Sequence, residues 1–167
     1  MPTEAADVTT ILSVLAEHDV PAWVAGGWGV DALVGHRTRE HADLDVAVPD
    51  DHAETAVAAL QRRGFVVTAD WLPTRVALTH PDGPEVDLHP LRFRPDGSAA
   101  LPGLTGEEYE YPAGDFTSGT IDGRAVACIS ARLQVEFHTG YEPSPRDRAD
   151  MAVLAAAAGV GLPEAYR

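Results

Sequence analysis

The most informative absence in this chain of 167 residues is lysine, because all twelve basic residues are arginine. A P-loop nucleotide site, a protein-kinase ATP site and Schiff-base chemistry are excluded, since each needs a lysine side chain. Asparagine is also absent, which excludes the metal-binding Asn of kinases and the Asn of papain-like triads. The single cysteine, Cys128, excludes an internal disulfide and a cysteine-rich zinc site.

Positive charge is scarce as well. Twelve basic residues face 26 acidic ones, so the formal net charge is −14. Such a surface repels a polyanion, and we expect no nucleic-acid partner. We recognise no signal peptide, and no apolar run approaches the ~18 residues that would span a membrane. The expected protein is cytoplasmic, without membrane association, and long enough for a hydrophobic core of its own.

Hydrophobic periodicity predicts alternating helices and strands. Apolar residues at helical spacing predict a helix over 5–18, and the apolar run 21–25 predicts a buried strand that ends at Gly26-Gly27. A short helix over 28–33, a strand over 43–48 and a helix that ends at Gly64 follow. Further strands are predicted at 65–67, 75–78, 85–88 and 125–129, with a hairpin turn at 81–84, and further helices near 130–139 and 145–158. Residues 94–119 give no clear pattern.

This order of elements predicts an α/β or α+β fold with a mixed sheet flanked by helices. We expect a core domain over residues 1–93. Residues 94–167 would form a C-terminal extension, a hairpin followed by helices, that packs on this core and does not fold independently.

Three aspartates form the strongest candidate site. Asp43 and Asp45 are separated by one residue in a strand pattern, so both carboxylates point to one face, roughly 6.6–7 Å apart along the chain. Asp87 occupies a comparable place in another strand. On adjacent strands the three would converge on a pocket for two Mg²⁺ ions about 3.5–4 Å apart. Taken alone, the Asp43 and Asp45 pair is more typical of a solvent-facing sheet edge than of a metal site.

The glycine pair Gly26-Gly27 adds a second element to this site. A strand ends at the pair and a helix begins over it, so backbone N–H groups and the helix N-terminus can bind phosphate oxygens. Nucleotide binding is thereby possible in a protein without lysine.

These motifs resemble those of small antibiotic nucleotidyltransferases, chiefly the lincosamide enzymes and secondly the aminoglycoside 2''-nucleotidyltransferases. The resemblance is carried first by Gly-Gly-Trp-Gly-Val-Asp-Ala-Leu at 26–33 and by Thr-Arg-Glu-His-x-Asp-x-Asp at 38–45. It continues at 70–75, 87–90, 96–99, 128–131, 134 and 137–142, and so covers nearly the whole chain.

The resemblance implies a nucleotidyltransferase fold like the palm of DNA polymerase β. It implies that Asp43 and Asp45 bind Mg²⁺, and that Asp87 completes the metal site and acts as the base. It also implies transfer of a nucleoside monophosphate, AMP from ATP or one from another NTP, to a hydroxyl of a small antibiotic. Such enzymes often act as homodimers.

Other residues are weaker candidates. Trp28 adjoins the glycine pair and joins the predicted nucleotide site. Arg37 and Arg39 precede the catalytic strand and either bind phosphates bidentately or anchor their own loop. Possible contacts to the acceptor substrate are Trp71, Glu85, His89, Glu108 and Tyr109, for which a structural role is the alternative.

Two other functions remain open at this point. One is a nucleotidyltransferase of the antitoxin type that modifies a protein hydroxyl, and the other is a non-catalytic nucleotide-binding domain. The presence of all three aspartates favours an active enzyme.

Overall fold

A computed structural model describes residues 1–167 and contains five α-helices and nine β-strands. The helices are α1 (Ala5–Glu17), α2 (Gly26–Val34), α3 (Ala53–Gln61), α4 (Ala131–Phe137) and α5 (Pro145–Ala158). The strands are β1 (Trp23–Ala25), β2 (Asp43–Pro49), β3 (Val66–Trp71), β4 (Arg75–Thr79), β5 (Glu85–Phe93), β6 (Ala99–Pro102), β7 (Glu108–Tyr111), β8 (Phe116–Ile121) and β9 (Arg124–Ile129).

Seven strands form one mixed sheet in the order β3-β4-β5-β2-β1-β9-β8. The pairs β2–β5 and β1–β9 are parallel, and the other neighbours in this order are antiparallel. The hairpin β6–β7 continues from the C-terminal half of β5. The predicted mixed sheet flanked by helices is therefore confirmed.

The alternation in β2 divides polar from apolar side chains. Leu44, Val46 and Val48 are fully buried in the main core, which includes side chains from α1 and α3. Asp43 and Asp45 lie on the opposite face, as successive residues of a strand must. Burial of one face therefore fixes the orientation of both carboxylates.

The strands predicted at 65–67 and 85–88 extend further, to Trp71 and Phe93, and two other parts of the chain differ more from the sequence prediction. The helix predicted from Trp28 begins at Gly26, because Gly26 has φ +58° and lets the chain turn directly out of β1 into α2. The segment 94–119, which gave no clear pattern, contains β6, β7 and part of β8. Strands β6 and β7 have four residues each: β6 is apolar without alternation, and the Glu-Tyr alternation of β7 is too short to stand out among the surrounding glycines and prolines.

The proposed boundary between residues 93 and 94 stays a prediction. Two pairs of residues join β5 to β6 across it, Arg92 with Ala100 and Phe93 with Ala99. None of the helices is long and apolar enough to cross a membrane.

The packing of β8 on α2 gives the first testable prediction. A Cβ atom on Gly119 would overlap the backbone of Ala32 in α2, whereas one on Gly114 would meet no atom within 4 Å. We expect Gly119→Ala to lower the free energy of unfolding by about 1–3 kcal/mol through overpacking. Gly114→Ala, the matched control, should stay within about 0.5 kcal/mol of wild type. Urea titration measures both, and equal effects would contradict the observed packing.

Candidate active site

The site begins with the register of two parallel strands. In the pairing of β2 with β5, Asp45 lies opposite Asp87 and Asp43 lies opposite Glu85. One carboxylate oxygen from each of Asp43, Glu85 and Asp87 lies within 4.8 Å of the other two. Four acids thus share one face of two adjacent strands. Glu85, which the sequence predicted as a substrate contact, instead belongs to the cluster with Asp43 and Asp87.

Asp45 is directed slightly away from this group. Its Oδ1 lies 2.9 Å from Nε2 of His89, and its carboxylate lies against Gly26, where a Cβ atom would overlap it. Asp45 therefore lies between the acidic cluster and the first turn of α2. Its role as a metal ligand stays a prediction.

Asp87 is the most buried of the four acids, at 3% exposure. Its Oδ2 accepts a hydrogen bond of 2.8 Å from Nη1 of Arg75, but its Oδ1 is buried without a hydrogen-bond partner. The guanidinium of Arg75 also lies over the ring of Trp71, 4.4 Å from its centroid. Burial of a carboxylate oxygen without a hydrogen-bond donor raises the free energy of the folded state unless a further cation binds that oxygen.

The electrostatics of the cluster favour such a cation. Burial, and next the charge of Asp45, raise the pKa of Asp87 to about 6, although Arg75 and His89 oppose the shift. Burial and the neighbouring Asp45 and Glu85 also raise the pKa of Asp43. Oxygen ligands at this spacing are those that Mg²⁺ prefers. The residues present therefore fit a divalent metal.

The N-terminus of α2 lies beside the acids. Gly26 and Gly27 form its first turn, so their N–H groups belong to the unsatisfied donors of a helix start. The carbonyl of Gly26 accepts a hydrogen bond of 3.1 Å from Nε2 of Gln134 in α4. The arrangement can bind an anion next to a metal.

The two candidate arginines occupy different places. Nη2 of Arg39 lies 2.8 Å from the point where a Cβ of Gly27 would be, so this guanidinium adjoins the glycine pair. Arg37 is ion-paired with Glu4, lies over the ring of Trp28 and borders another cavity. The geometry supports the nucleotide role for Arg39 more than for Arg37.

Trp28 is 2% exposed and packs against the ring of His41. Nε2 of His41 lies 2.6 Å from Oδ2 of Asp31, and both residues are buried. Trp28 thus supports the first turn of α2 from within the core.

A cleft of about 600 Å³ opens next to Asp45 and Gly26. We call it the β7–α4 cleft, because β7 and the region around the end of α4 supply most of its walls. The aromatic side chains that line it are Tyr109, Tyr111 and Phe137, and its charged or polar walls include His89, Glu108, Glu110, Gln134, Glu136 and His138.

Three of the candidate acceptor contacts, His89, Glu108 and Tyr109, line this cleft, whereas Trp71 does not. Sequence reasoning gave no role to Arg75, Tyr111 or Phe137. Arg75 could have been found from the β4–β5 hairpin. Ala77 lies opposite Asp87, and Arg75 is two residues before Ala77, so its side chain is on the same face of the sheet as Asp87. No local sequence pattern identifies Tyr111 or Phe137 as residues that line a cleft.

Comparison with known proteins identifies the family. The model of the aminoglycoside-2''-adenylyltransferase family matches residues 7–154. The chain belongs to this family. A lincosamide resistance protein from Staphylococcus haemolyticus is 32% identical over 144 residues, which are 86% of this chain and 89% of that protein. A 2''-aminoglycoside nucleotidyltransferase from Klebsiella pneumoniae is 32% identical over 68 residues, 41% of this chain and 38% of that protein.

Solved structures agree with this membership of the aminoglycoside-2''-adenylyltransferase family. The crystal structure of the lincosamide antibiotic adenylyltransferase LnuA with lincomycin bound matches with a TM-score of 0.86 and 29% identity, covering 94% of this chain and 99% of that one. ANT(2'')-Ia in complex with adenylyl-2''-tobramycin matches in fold, with a TM-score of 0.72 and 22% identity over 91% and 87% of the two chains. The predicted resemblance and enzyme class, an antibiotic nucleotidyltransferase, are confirmed.

The raised pKa of Asp87 predicts how stability depends on pH. The folded state prefers the protonated acid, so the destabilisation is absent below pH about 4, grows as the pH rises and is complete above about 6. In EDTA, we expect the Tm of wild type to fall more steeply between pH 4.5 and 7 than that of Asp87→Asn. Adding Mg²⁺ at pH 7.5 should raise the wild-type Tm. Parallel pH curves for the two proteins in a thermal-shift measurement would contradict this assignment.

Proposed function

We propose that this chain catalyses the Mg²⁺-dependent transfer of AMP from ATP to a hydroxyl group of a lincosamide-type antibiotic, which inactivates the drug. The observation that carries the proposal is the position of the acidic cluster. It adjoins Asp45, and the carboxylate of Asp45 lies against the N-terminus of α2, which can bind phosphates, and lines the β7–α4 cleft, which can bind an acceptor. The names of the relatives, which include an adenylyltransferase, support ATP as the donor.

Asp43, Asp45 and Asp87 would hold the metal, with Glu85 close enough to assist. We expect two Mg²⁺ ions. When bound, they would neutralise phosphate charge and stabilise the departing pyrophosphate. The protein supplies fixed carboxylates on rigid strands, so little reorganisation is needed when the nucleotide binds.

Asp87 is the proposed base. Its carboxylate takes the proton of the acceptor hydroxyl while the oxygen of that hydroxyl bonds to the α-phosphorus of ATP, and the bond from this phosphorus to the bridging oxygen breaks, so that pyrophosphate leaves with that oxygen. In the metal-free protein, burial and the charge of Asp45 raise the pKa of Asp87 to about 6, so this carboxylate is ionised at neutral pH and able to accept a proton. Arg75 fixes the carboxylate through Oδ2.

The charge of the β7–α4 cleft favours a lincosamide over a polycationic aminoglycoside. Each of the three glutamates that line the cleft has an arginine partner: Arg92 pairs with Glu108, Arg94 pairs with Glu110, and Arg132 is shared between Glu136 and Asp115. The negative charge of these glutamates is therefore largely neutralised, and aromatic rings form much of the remaining wall of the cleft. Such a surface suits an acceptor with a single amine and apolar parts.

An aminoglycoside is the second candidate acceptor. The description of the matching family and the net charge of −14 favour it, because an acidic protein attracts a polycation. Our proposal also includes a cytoplasmic location, where ATP is available, and a homodimer, as the family resemblance implies.

The transfer itself can be tested directly. Incubation of the protein with ATP, Mg²⁺ and a panel of lincosamides and aminoglycosides should increase the mass of a lincosamide by one AMP. Asp87→Asn should lower kcat by about 10²–10⁴-fold, since the base is lost. Asp51→Asn, an exposed acid before α3, is the matched control and should keep wild-type activity. If wild type modifies no compound in the panel, the proposal is wrong.

The acceptor site can be tested separately. Tyr109 is 43% exposed and lines the cleft, while Leu104, 68% exposed, lies in the turn of the same hairpin and does not line it. We expect Tyr109→Ala to raise the KM for the lincosamide by about tenfold and to leave the KM for ATP unchanged. Leu104→Ala should change neither constant. Equal effects of Tyr109→Ala on both KM values would argue against this cleft as the acceptor site.

A further inference from the structure

The C-terminal helix α5 contributes a buried acid to the surroundings of the glycine pair. Asp150 is 4% exposed, and both its oxygens accept hydrogen bonds from Arg39. Nε of Arg39 lies 2.8 Å from Oδ1, and Nη2 lies 2.7 Å from Oδ2. A bidentate pair of this kind fixes the plane and position of the guanidinium.

Helix α5, which carries Asp150, is held in place by the packing of its buried face and by its N-terminal cap. Its residues Met151 and Leu154 are buried in a cluster with Val30 of α2 and Val135 of α4. Its N-terminus is closed by a capping box that involves Ser144. Arg39 belongs instead to the segment between α2 and β2, which contains no helix or strand. The helix therefore supplies an anchor that the segment itself lacks.

Arg39 keeps binding capacity after this contact. A guanidinium has five N–H groups. Asp150 accepts from two of them, and the carbonyl of Glu40 accepts from one on Nη1, at 2.8 Å. Two N–H groups remain, one on each Nη nitrogen, and Nη2 is the atom that lies against Gly27. The absence of a Cβ at Gly27 makes this close approach possible.

We infer that Asp150 is a positioning residue for the nucleotide site. It acts through Arg39, whose guanidinium it holds beside the first turn of α2 so that the remaining N–H groups bind the triphosphate of ATP. The inference rests on the proposed function, because it takes the glycine pair as the phosphate site. If Asp150 only cancelled the charge of Arg39, its removal would strengthen ATP binding instead, so the two roles differ in sign.

The test compares ATP binding in four proteins by calorimetry with Mg²⁺ and a non-hydrolysable ATP analogue. Asp150→Asn keeps the size of the side chain but loses its charge and one acceptor. We expect it to raise the Kd of the analogue by about tenfold, the scale of a charge-assisted hydrogen bond. In an Arg39→Ala background, the same substitution should change the Kd by less than about twofold, because the residue through which it acts is gone.

Asp115→Asn is the control for the loss of a buried acid. Asp115 is 5% exposed and pairs with Arg132, so its removal should lower the Tm while leaving the Kd of the analogue unchanged. In the transfer assay, Asp150→Asn should raise the KM for ATP and not that for the antibiotic.

An unchanged or lower Kd in Asp150→Asn, or an equal loss in the Arg39→Ala background, would overturn the inference while the proposed function stands. Failure of the wild-type protein to bind the analogue would overturn both.

Discussion

Repulsion among four carboxylates on two adjacent parallel strands is the constraint on which this site depends. The register that places Asp45 opposite Asp87 and Asp43 opposite Glu85 holds like charges together in a partly buried place. Arg75 and His89 relieve part of this repulsion, and yet the pKa of Asp87 remains raised and its Oδ1 has no partner. The fold therefore holds a surplus of negative charge where an enzyme of this family requires cations.

The rest of the fold keeps this arrangement rigid. Apolar residues on the opposite face of β2 bind it to the main core, so the carboxylates cannot turn away from one another. The first turn of α2 follows β1 without a loop, because Gly26 adopts a left-handed conformation. The N–H groups that we propose for phosphate binding and the carboxylates that we propose as metal ligands are thereby fixed on neighbouring elements, which is the preorganisation that phosphoryl transfer needs.

Much of this could be predicted from the sequence, because the relevant signals are local. Alternation in β2 gave the common face of Asp43 and Asp45, and the hairpin turn at 81–84 placed Asp87 in a strand. The resemblance of the motifs indicated the family, which the comparisons confirmed. The phosphate site predicted at the glycine pair stays a proposal. The parallel pairing of β2 with β5 needed an assumption about which strands are neighbours.

The remainder depends on contacts between distant parts of the chain. Tyr111 and Phe137 both line the β7–α4 cleft and pack together with ring centroids 5.0 Å apart, although 26 positions separate them. No periodicity reveals such a pair. The β6–β7 hairpin consists of two strands of four residues each, which are too short for a hydrophobic period to mark them. Asp150 is likewise 111 positions from its partner Arg39.

The central claim is that these acids hold a metal ion against a nucleotide at the start of α2. A crystal structure of the protein grown with Mn²⁺ and a non-hydrolysable ATP analogue, with anomalous diffraction recorded, tests it most directly. Our account predicts an anomalous peak within coordination distance of Asp43 and Asp87, with the triphosphate against Gly26 and Gly27. A nucleotide bound elsewhere, or manganese that avoids these carboxylates, would contradict it.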